Sequence, residues 1–166
     1  MNKNIVIIGM PGSGKSTIGY MLSKKINMEY IDMDEYIEMN ENKSIKEMFQ
    51  ISEDYFRDVE TRCTRSLSKL NSHVIATGGG VVKRKENIKI FKESCIIVFL
   101  NRPLENIMQD IDTNIRPLLA EGKNKLYQLY NERIHLYKEY CDIEIMNNRE
   151  IPYALDQITE IIANRN

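Results

Sequence analysis

Hydrophobic positions along this chain alternate between two patterns. Apolar runs at 4–8, 29–32, 73–77, 95–100 and 142–146 are separated by stretches where apolar residues recur three and four apart. Runs of that length read as strands, and the spaced stretches read as amphipathic helices. Their regular alternation argues for βαβ units and a parallel sheet. Cys95-Ile-Ile-Val-Phe-Leu100 is apolar without a break, as a strand buried on both faces requires. Asp142-Ile-Glu-Ile-Met146 alternates instead, as an edge strand would.

Helices are expected over Ser16–Ile26, 84–93, 103–110, 124–140 and 153–165. Ser44-Ile-Lys-Glu47 has the form of a capping box and opens a long helical region reaching about Leu70. In the segment 124–140, the residues Leu126, Leu129, Tyr130, Ile134 and Tyr137 form one apolar stripe, which reads as core packing. Between Gln109 and Gly122 the periodicity fails, and Asp112, Asn114, Pro117 and Gly122 punctuate a loop. A loop of that length beside a nucleotide site suggests a mobile lid.

The nucleotide site is written in Gly9-Met-Pro-Gly-Ser-Gly-Lys15-Ser16-Thr17, which follows the first strand and opens the first helix. That is the setting a G-x-x-x-x-G-K-[ST] loop requires. Backbone N–H groups of Gly12, Ser13, Gly14 and their neighbours would cradle phosphate oxygens, helped by the positive end of the following helix. Lys15 would reach the β- and γ-phosphates, and the Ser16 hydroxyl would ligate Mg²⁺.

Composition narrows the partners. The chain has 166 residues, 42% of them apolar, which fits one compact domain. A net charge of −1 gives no electrostatic footprint for nucleic acid or an anionic membrane. The apolar runs are strand-sized, far short of a membrane span. The opening Met1-Asn2-Lys3-Asn4 enters a strand with no secretory pattern. Cys63, Cys95 and Cys141 match neither a disulfide framework nor a zinc site and read as reduced thiols. A cytoplasmic monomer is expected.

Several further residues carry candidate chemistry. Asp32-Met33-Asp34 falls at the end of the second strand, on the sheet edge where ligands bind in open parallel sheets. One carboxylate can support hydrated Mg²⁺ and the other can take a proton from an acceptor hydroxyl. The pair could also be a polar strand end, with Asp34 capping the next helix, but its position favours the functional reading. Arg57 and Glu60 lie three apart on a helix, and spacing alone reads them as a solvated ion pair. The same pair could aim a guanidinium fork at a substrate carboxylate. The strand ending in Gly78-Gly79-Gly80 exposes backbone to a ligand, or is a plain glycine turn. Arg116, in the lid, could stabilise charge on a transferring phosphoryl group. Arg133 follows on the next helix, where a surface arginine is the usual case. Pro152 follows the last strand, where a loop could cover a purine ring.

Taken together, Gly9–Thr17, Asp32-Met-Asp34, Phe56-Arg57 with Glu60, Gly78-Gly79-Gly80, Arg116-Pro-Leu-Leu and Arg133 resemble the shikimate kinase family. They span most of the chain in that family's order. The resemblance implies a three-layer α/β phosphate-loop NTPase fold, with a five-stranded parallel sheet in the order 2-3-1-4-5 and helices on both faces. It implies a single kinase domain over 1–166, with a lid at about 109–122 and a shikimate-binding helical region at about 34–61.

The implied activity is ATP- and Mg²⁺-dependent phosphorylation of the shikimate 3-hydroxyl. In this reading Asp34 holds and polarises the hydroxyl, and Arg57 and Arg133 bind the carboxylate with Glu60 orienting Arg57. The Gly79 backbone, between Gly78 and Gly80, contacts the substrate. Ser16 and Asp32 serve the metal, Arg116 and Lys15 serve the phosphates, and Pro152 lies by the adenine. Two positions depart from the family. Gln109 stands where an arginine often packs on adenine, and Met10-Pro11 replaces a common Met-Gly pair. Gluconate and adenylate kinases share loop and fold, but the triple glycine with Arg-Pro-Leu-Leu favours shikimate. A GTPase switch would need Asn-Lys-x-Asp, and neither Asn42-Lys43 nor Asn124-Lys125 is followed by that aspartate. Every expected catalytic position is occupied, which counts against a domain that has lost catalysis.

Overall fold

The computed structural model describes residues 3–113 and 120–165, with 111–113 and 120–121 described by backbone alone. Five parallel strands form its sheet: β1 (Asn4–Ile8), β2 (Glu29–Asp32), β3 (His73–Ala76), β4 (Cys95–Asn101) and β5 (Ile143–Met146). Their order is β2-β3-β1-β4-β5, as the resemblance implies. Val6 pairs with Ile75 on one side and Ile97 on the other, so β1 is central. β5 is an edge strand, and its alternation is real: Ile143 and Ile145 are buried and Glu144 and Met146 exposed.

Side chains alternate across the strands into two cores. Val6, Ile8, Ile75, Ile97 and Phe99 face one cluster; Ile5, Ile7, Val74, Val98 and Leu100 face the other. The first core is closed by α2 (Met33–Glu41), α3 (Ile45–Ile51), α4 (Glu53–Leu67), α5 (Lys85–Ser94) and α7 (Ala120–Tyr140). The second is closed by α1 (Lys15–Lys25) and α8 (Ile151–Ala163). α6 (Leu104–Thr113) follows β4. The stripe read on α7 packs as expected: Leu126 and Tyr137 are buried, and Leu129, Tyr130 and Ile134 lie against the same core.

Two expectations need correction. The helical region from 34 to 61 is three helices, and the one expected to run unbroken from Ser44 stops at Ile51. Ser52 is the break. Its backbone is extended (φ −173°, ψ 159°), its N–H closes α3 on Met48 O, and its hydroxyl accepts from Tyr55 N–H to open α4. The capping box at Ser44 and Glu47 does form. The region read as a loop from Gln109 to Gly122 is helical at both ends, through Thr113 in α6 and from Ala120 in α7. Arg116 and Pro117 lie outside the described residues.

Because all five strands run the same way, their carboxyl ends meet on one edge. Gly9, Asp32, Thr77 and Arg102 therefore converge from segments far apart in sequence. Among the described residues, no helix is long and apolar enough to cross a membrane.

Candidate active site

The phosphate loop occupies the middle of this edge, leaving β1 and entering α1. Gly14 caps α1 with φ +94°, a conformation that excludes most side chains. Lys15 is buried and lies back over the loop, its Nζ donating to Gly9 O (3.0 Å) and Met10 O (2.8 Å). Burial pulls its pKa down to about 8, against the opposing pull of the Asp34 and Asp32 charges. The Ser13 hydroxyl is buried without a partner among the described residues.

Asp32 and Asp34 stand in different settings, and the cap falls on the other residue. Asp32, not Asp34, is the N-cap of α2: its Oδ1 accepts from the amides of Asp34 (3.0 Å) and Glu35 (3.3 Å). Its Oδ2 accepts from the Ser16 hydroxyl at 2.7 Å. Two hard oxygens thus stand side by side next to the phosphate nest. Among the described residues no cluster of three or more His, Cys, Asp or Glu could cage a metal. A hydroxyl and a carboxylate paired beside phosphates are oxygen ligands of the kind Mg²⁺ takes.

Asp34, freed from capping, lies in the first turn of α2. Burial pushes its carboxyl above the usual range, the Asp32 charge adds to the rise, and Lys15 opposes it.

Arg57 and Glu60 are not solvated. They are 7% and 1% exposed, and Arg57 Nη1 donates to Glu60 Oε2 at 2.8 Å. A buried pair holds its geometry far better than a surface one, because neither charge can be left alone there. The guanidinium also sits 5.1 Å from the Phe56 ring centroid and reaches Glu53 at 3.5 Å. Burial raises the Glu60 pKa; Arg57 opposes that, and the Asp34 and Arg133 charges also bear on it. Arg133 is buried too, and its Nε has no hydrogen-bond partner among the described residues. An unpartnered buried guanidinium nitrogen is costly unless an anion completes it.

The triple glycine packs against these groups. A Cβ at Gly78 would stand 2.8 Å from Asp34 Oδ1, one at Gly79 2.8 Å from Pro11 Cδ, and one at Gly80 would overlap the Arg57 guanidinium. Backbone thus approaches the aspartate, the phosphate loop and the arginine together.

On the opposite flank a polar cavity of about 330 Å³ is lined by Gly14, Thr17, Arg102, Asn147, Asn148 and Arg149, among others. Arg102 donates to Gly12 O (3.0 Å) and pairs with Asp110 (2.6 Å), and Asn147 Nδ2 donates to Ser13 O (2.9 Å). Ile151 reaches this wall, whereas Pro152 occupies the first turn of α8 and is exposed. Sequence reasoning missed Arg102, Asn147 and Arg149. The signal was available, since each lies just past the carboxyl end of β4 or β5, where parallel sheets build their ligand sites.

A phosphate nest on the central strand, with a buried acid and two buried arginines on one flank and a polar cavity on the other, defines a phosphate-loop kinase. The family model described as shikimate kinase matches residues 11–164. The shikimate kinase of Clostridium beijerinckii is 49% identical over 162 residues, covering 98% of this chain and 96% of that one. The solved shikimate kinase of Acinetobacter baumannii, in complex with shikimate, superposes with a TM-score of 0.88 at 30% identity, covering 99% of this chain and 95% of that one. A gluconokinase from Sinorhizobium meliloti shares the fold, with a TM-score of 0.63 and 15% identity over 98% of this chain and 94% of that one. This chain belongs to the shikimate kinase family.

Proposed function

We propose that the chain transfers the γ-phosphoryl group of ATP to the 3-hydroxyl of shikimate, a step toward chorismate and the aromatic amino acids. The observation that carries this reading is the buried arginine pair: Arg57 fixed by Glu60, and Arg133 with an unpartnered Nε. That is a site made for a carboxylate, one flank away from a phosphate nest.

With the substrate carboxylate on Arg57 and Arg133, the ring would bring a hydroxyl toward Asp34, close to Gly78 and Gly79. Asp34 accepts the hydroxyl proton as the oxygen bonds to the γ-phosphorus. The bond from that phosphorus to the bridging oxygen breaks, and ADP leaves. The raised Asp34 pKa brings the carboxylate nearer to working pH, where a general base is most effective. Lys15 exchanges the Gly9 and Met10 carbonyls for phosphate oxygens, and Arg116, which lies outside the described residues, would add positive charge at the phosphates.

Ser16 and Asp32 would hold Mg²⁺. When bound, the ion supplies positive charge to the β- and γ-phosphates. Thr17 and the loop amides of Gly12, Ser13 and Gly14 would hold the phosphates. The base would enter the cavity beside Arg102 and Asn147–Arg149, with Pro152 at its rim.

ADP release from ATP and Mg²⁺, with shikimate, gluconate or AMP offered separately, tests the assignment. Turnover with shikimate alone is expected; turnover with gluconate or AMP and none with shikimate overturns it. Phosphorus coupling to the C3 proton of the product checks the position.

A further inference from the structure

Gly79 is held from two sides by residues to which the reaction gives no role. The Tyr137 hydroxyl of α7 donates to Gly79 O at 2.5 Å, and the Pro11 ring of the phosphate loop occupies the space a Gly79 side chain would need. Tyr137 is fully buried, and its ring stacks on Phe99 of β4 at 5.2 Å and 20°. The strand therefore fixes the height of the hydroxyl. Burial pushes its pKa up to about 12, so it remains a donor at any working pH.

The other two carbonyls of the turn are also engaged, Gly78 O by Val81 N–H (3.3 Å) and Gly80 O by Lys83 N–H (3.0 Å). In a trans peptide the carbonyl and the following N–H point in opposite directions, and no cis bonds occur among the described residues. Fixing Gly79 O toward α7 therefore turns the Gly80 N–H away from α7. The hydroxyl reaches no reacting atom itself, but it sets the direction of an amide in the acceptor turn.

We propose that Tyr137 is a positioning residue which, with Pro11 on the opposite side, clamps the glycine turn and sets its height relative to the phosphate loop. The clamp deepens the function proposed above and rests on it. Tyr137 also stands one helical turn from Arg133, whose charge and hydrogen bond partly offset the rise in its pKa. One helix thus presents both the anion-binding guanidinium and the hydroxyl that aims the turn.

Steady-state kinetics of Tyr137→Phe, with Tyr140→Phe as a buried control on the same helix, test this. Loss of one buried hydrogen bond corresponds to about a three- to tenfold change. Tyr137→Phe should raise the shikimate KM by that factor and leave the ATP KM within about twofold. Amide exchange over residues 78–83 should also become faster. Tyr140→Phe should change neither. Unchanged shikimate KM, or an equal rise in both constants with native exchange over 78–83, overturns the clamp. If the native chain turns over no shikimate, the proposed function fails, and exchange in Tyr137→Phe still decides the clamp. If Tyr137→Phe does not fold, Pro11→Ala tests the other contact by exchange alone: faster amide exchange over 78–83 is expected, and native exchange there overturns the clamp.

Discussion

Gly80→Ala is the sharpest perturbation this site offers. Gly80 has φ −95° and ψ 3°, a backbone any residue adopts, so alanine brings no conformational strain. What it brings is a methyl that overlaps Arg57 Nη2 most closely and stands 2.7 Å from Nη1 and 2.8 Å from Cζ. Carbon and nitrogen need about 3.5 Å, so the guanidinium must retreat by more than about 1 Å. It has little room, because Glu60 holds Nη1 at 2.8 Å and Phe56 covers its face at 5.1 Å.

A hydrogen bond to a charged group contributes about 1.5–3 kcal/mol, and misplacing it forfeits most of that. The shikimate KM should therefore rise by about 10- to 100-fold, with ATP binding unchanged. The clash falls on the far end of a long side chain rather than on backbone, so the melting temperature should drop by only a few degrees. Initial rates at saturating ATP, with a thermal melt of the same sample, read both quantities. A native shikimate KM in a folded Gly80→Ala would refute the placement of Arg57 in the acceptor site. A loss of ATP affinity of the same size would refute the division of the edge into two halves.

Other substitutions probe the remaining groups. Asp34→Asn should lower kcat by about 10²–10⁴-fold, with ATP binding retained in a fluorescent-nucleotide titration. Its folded pKa is raised, so the native state binds this proton more tightly than the unfolded chain. That contribution favours folding at low pH and is lost as pH rises through the raised value. Asp34→Asn should accordingly melt higher than the native chain at neutral pH, and the gap should close in acid. With Lys15 drawn down to about 8, kcat/KM for ATP should fall above that pH while kcat at saturation stays flat. Glu60→Gln should leave Arg57 buried with a neutral partner, costing about 3 kcal/mol or more of stability in urea titration and raising the shikimate KM. An unaltered unfolding midpoint would count against that.

Much of the donor half was legible because it is local. The glycine loop, the strand before it and the helix after it are contiguous, and their spacing carries their chemistry. The strands were legible for a similar reason, since β4 is apolar throughout and β5 alternates. The acceptor half was harder to read. The spacing of Arg57 and Glu60 shows that they share a helix face but not that the face is buried, so the pair read as an ordinary surface bridge. Tyr137 fell in an apolar stripe, and nothing in the stripe tells that its hydroxyl meets Gly79. Ser52 broke a helix that periodicity carried across it. Met48, Phe56 and Val59 keep a helical spacing on either side, so periodicity alone does not show the break that the Ser52 hydroxyl caps. The capping role falls to Asp32 because α2 begins at Met33, directly after the strand, which leaves Asp34 inside the first turn.

The sheet order itself explains how the proposed donor and acceptor sites would come to lie on either side of one loop. β1 is third of five, so its loop projects from the middle of the edge. The segments leaving β2 and β3, which carry Asp34 and Gly78–Gly80, must fall on one flank. Those leaving β4 and β5, which carry Arg102 and Asn147–Arg149, must fall on the other. Each flank then touches the loop through a different contact: Gly79 against Pro11 on the acceptor side, and Asn147 and Arg102 on the Ser13 and Gly12 carbonyls on the donor side. Changing the segments that leave β2 and β3 should therefore alter acceptor choice with the nucleotide cavity intact. The two buried arginines, Arg57 and Arg133, come from α4 and α7, outside the strand ends altogether. They are the part of the site that the order of the sheet leaves free to vary.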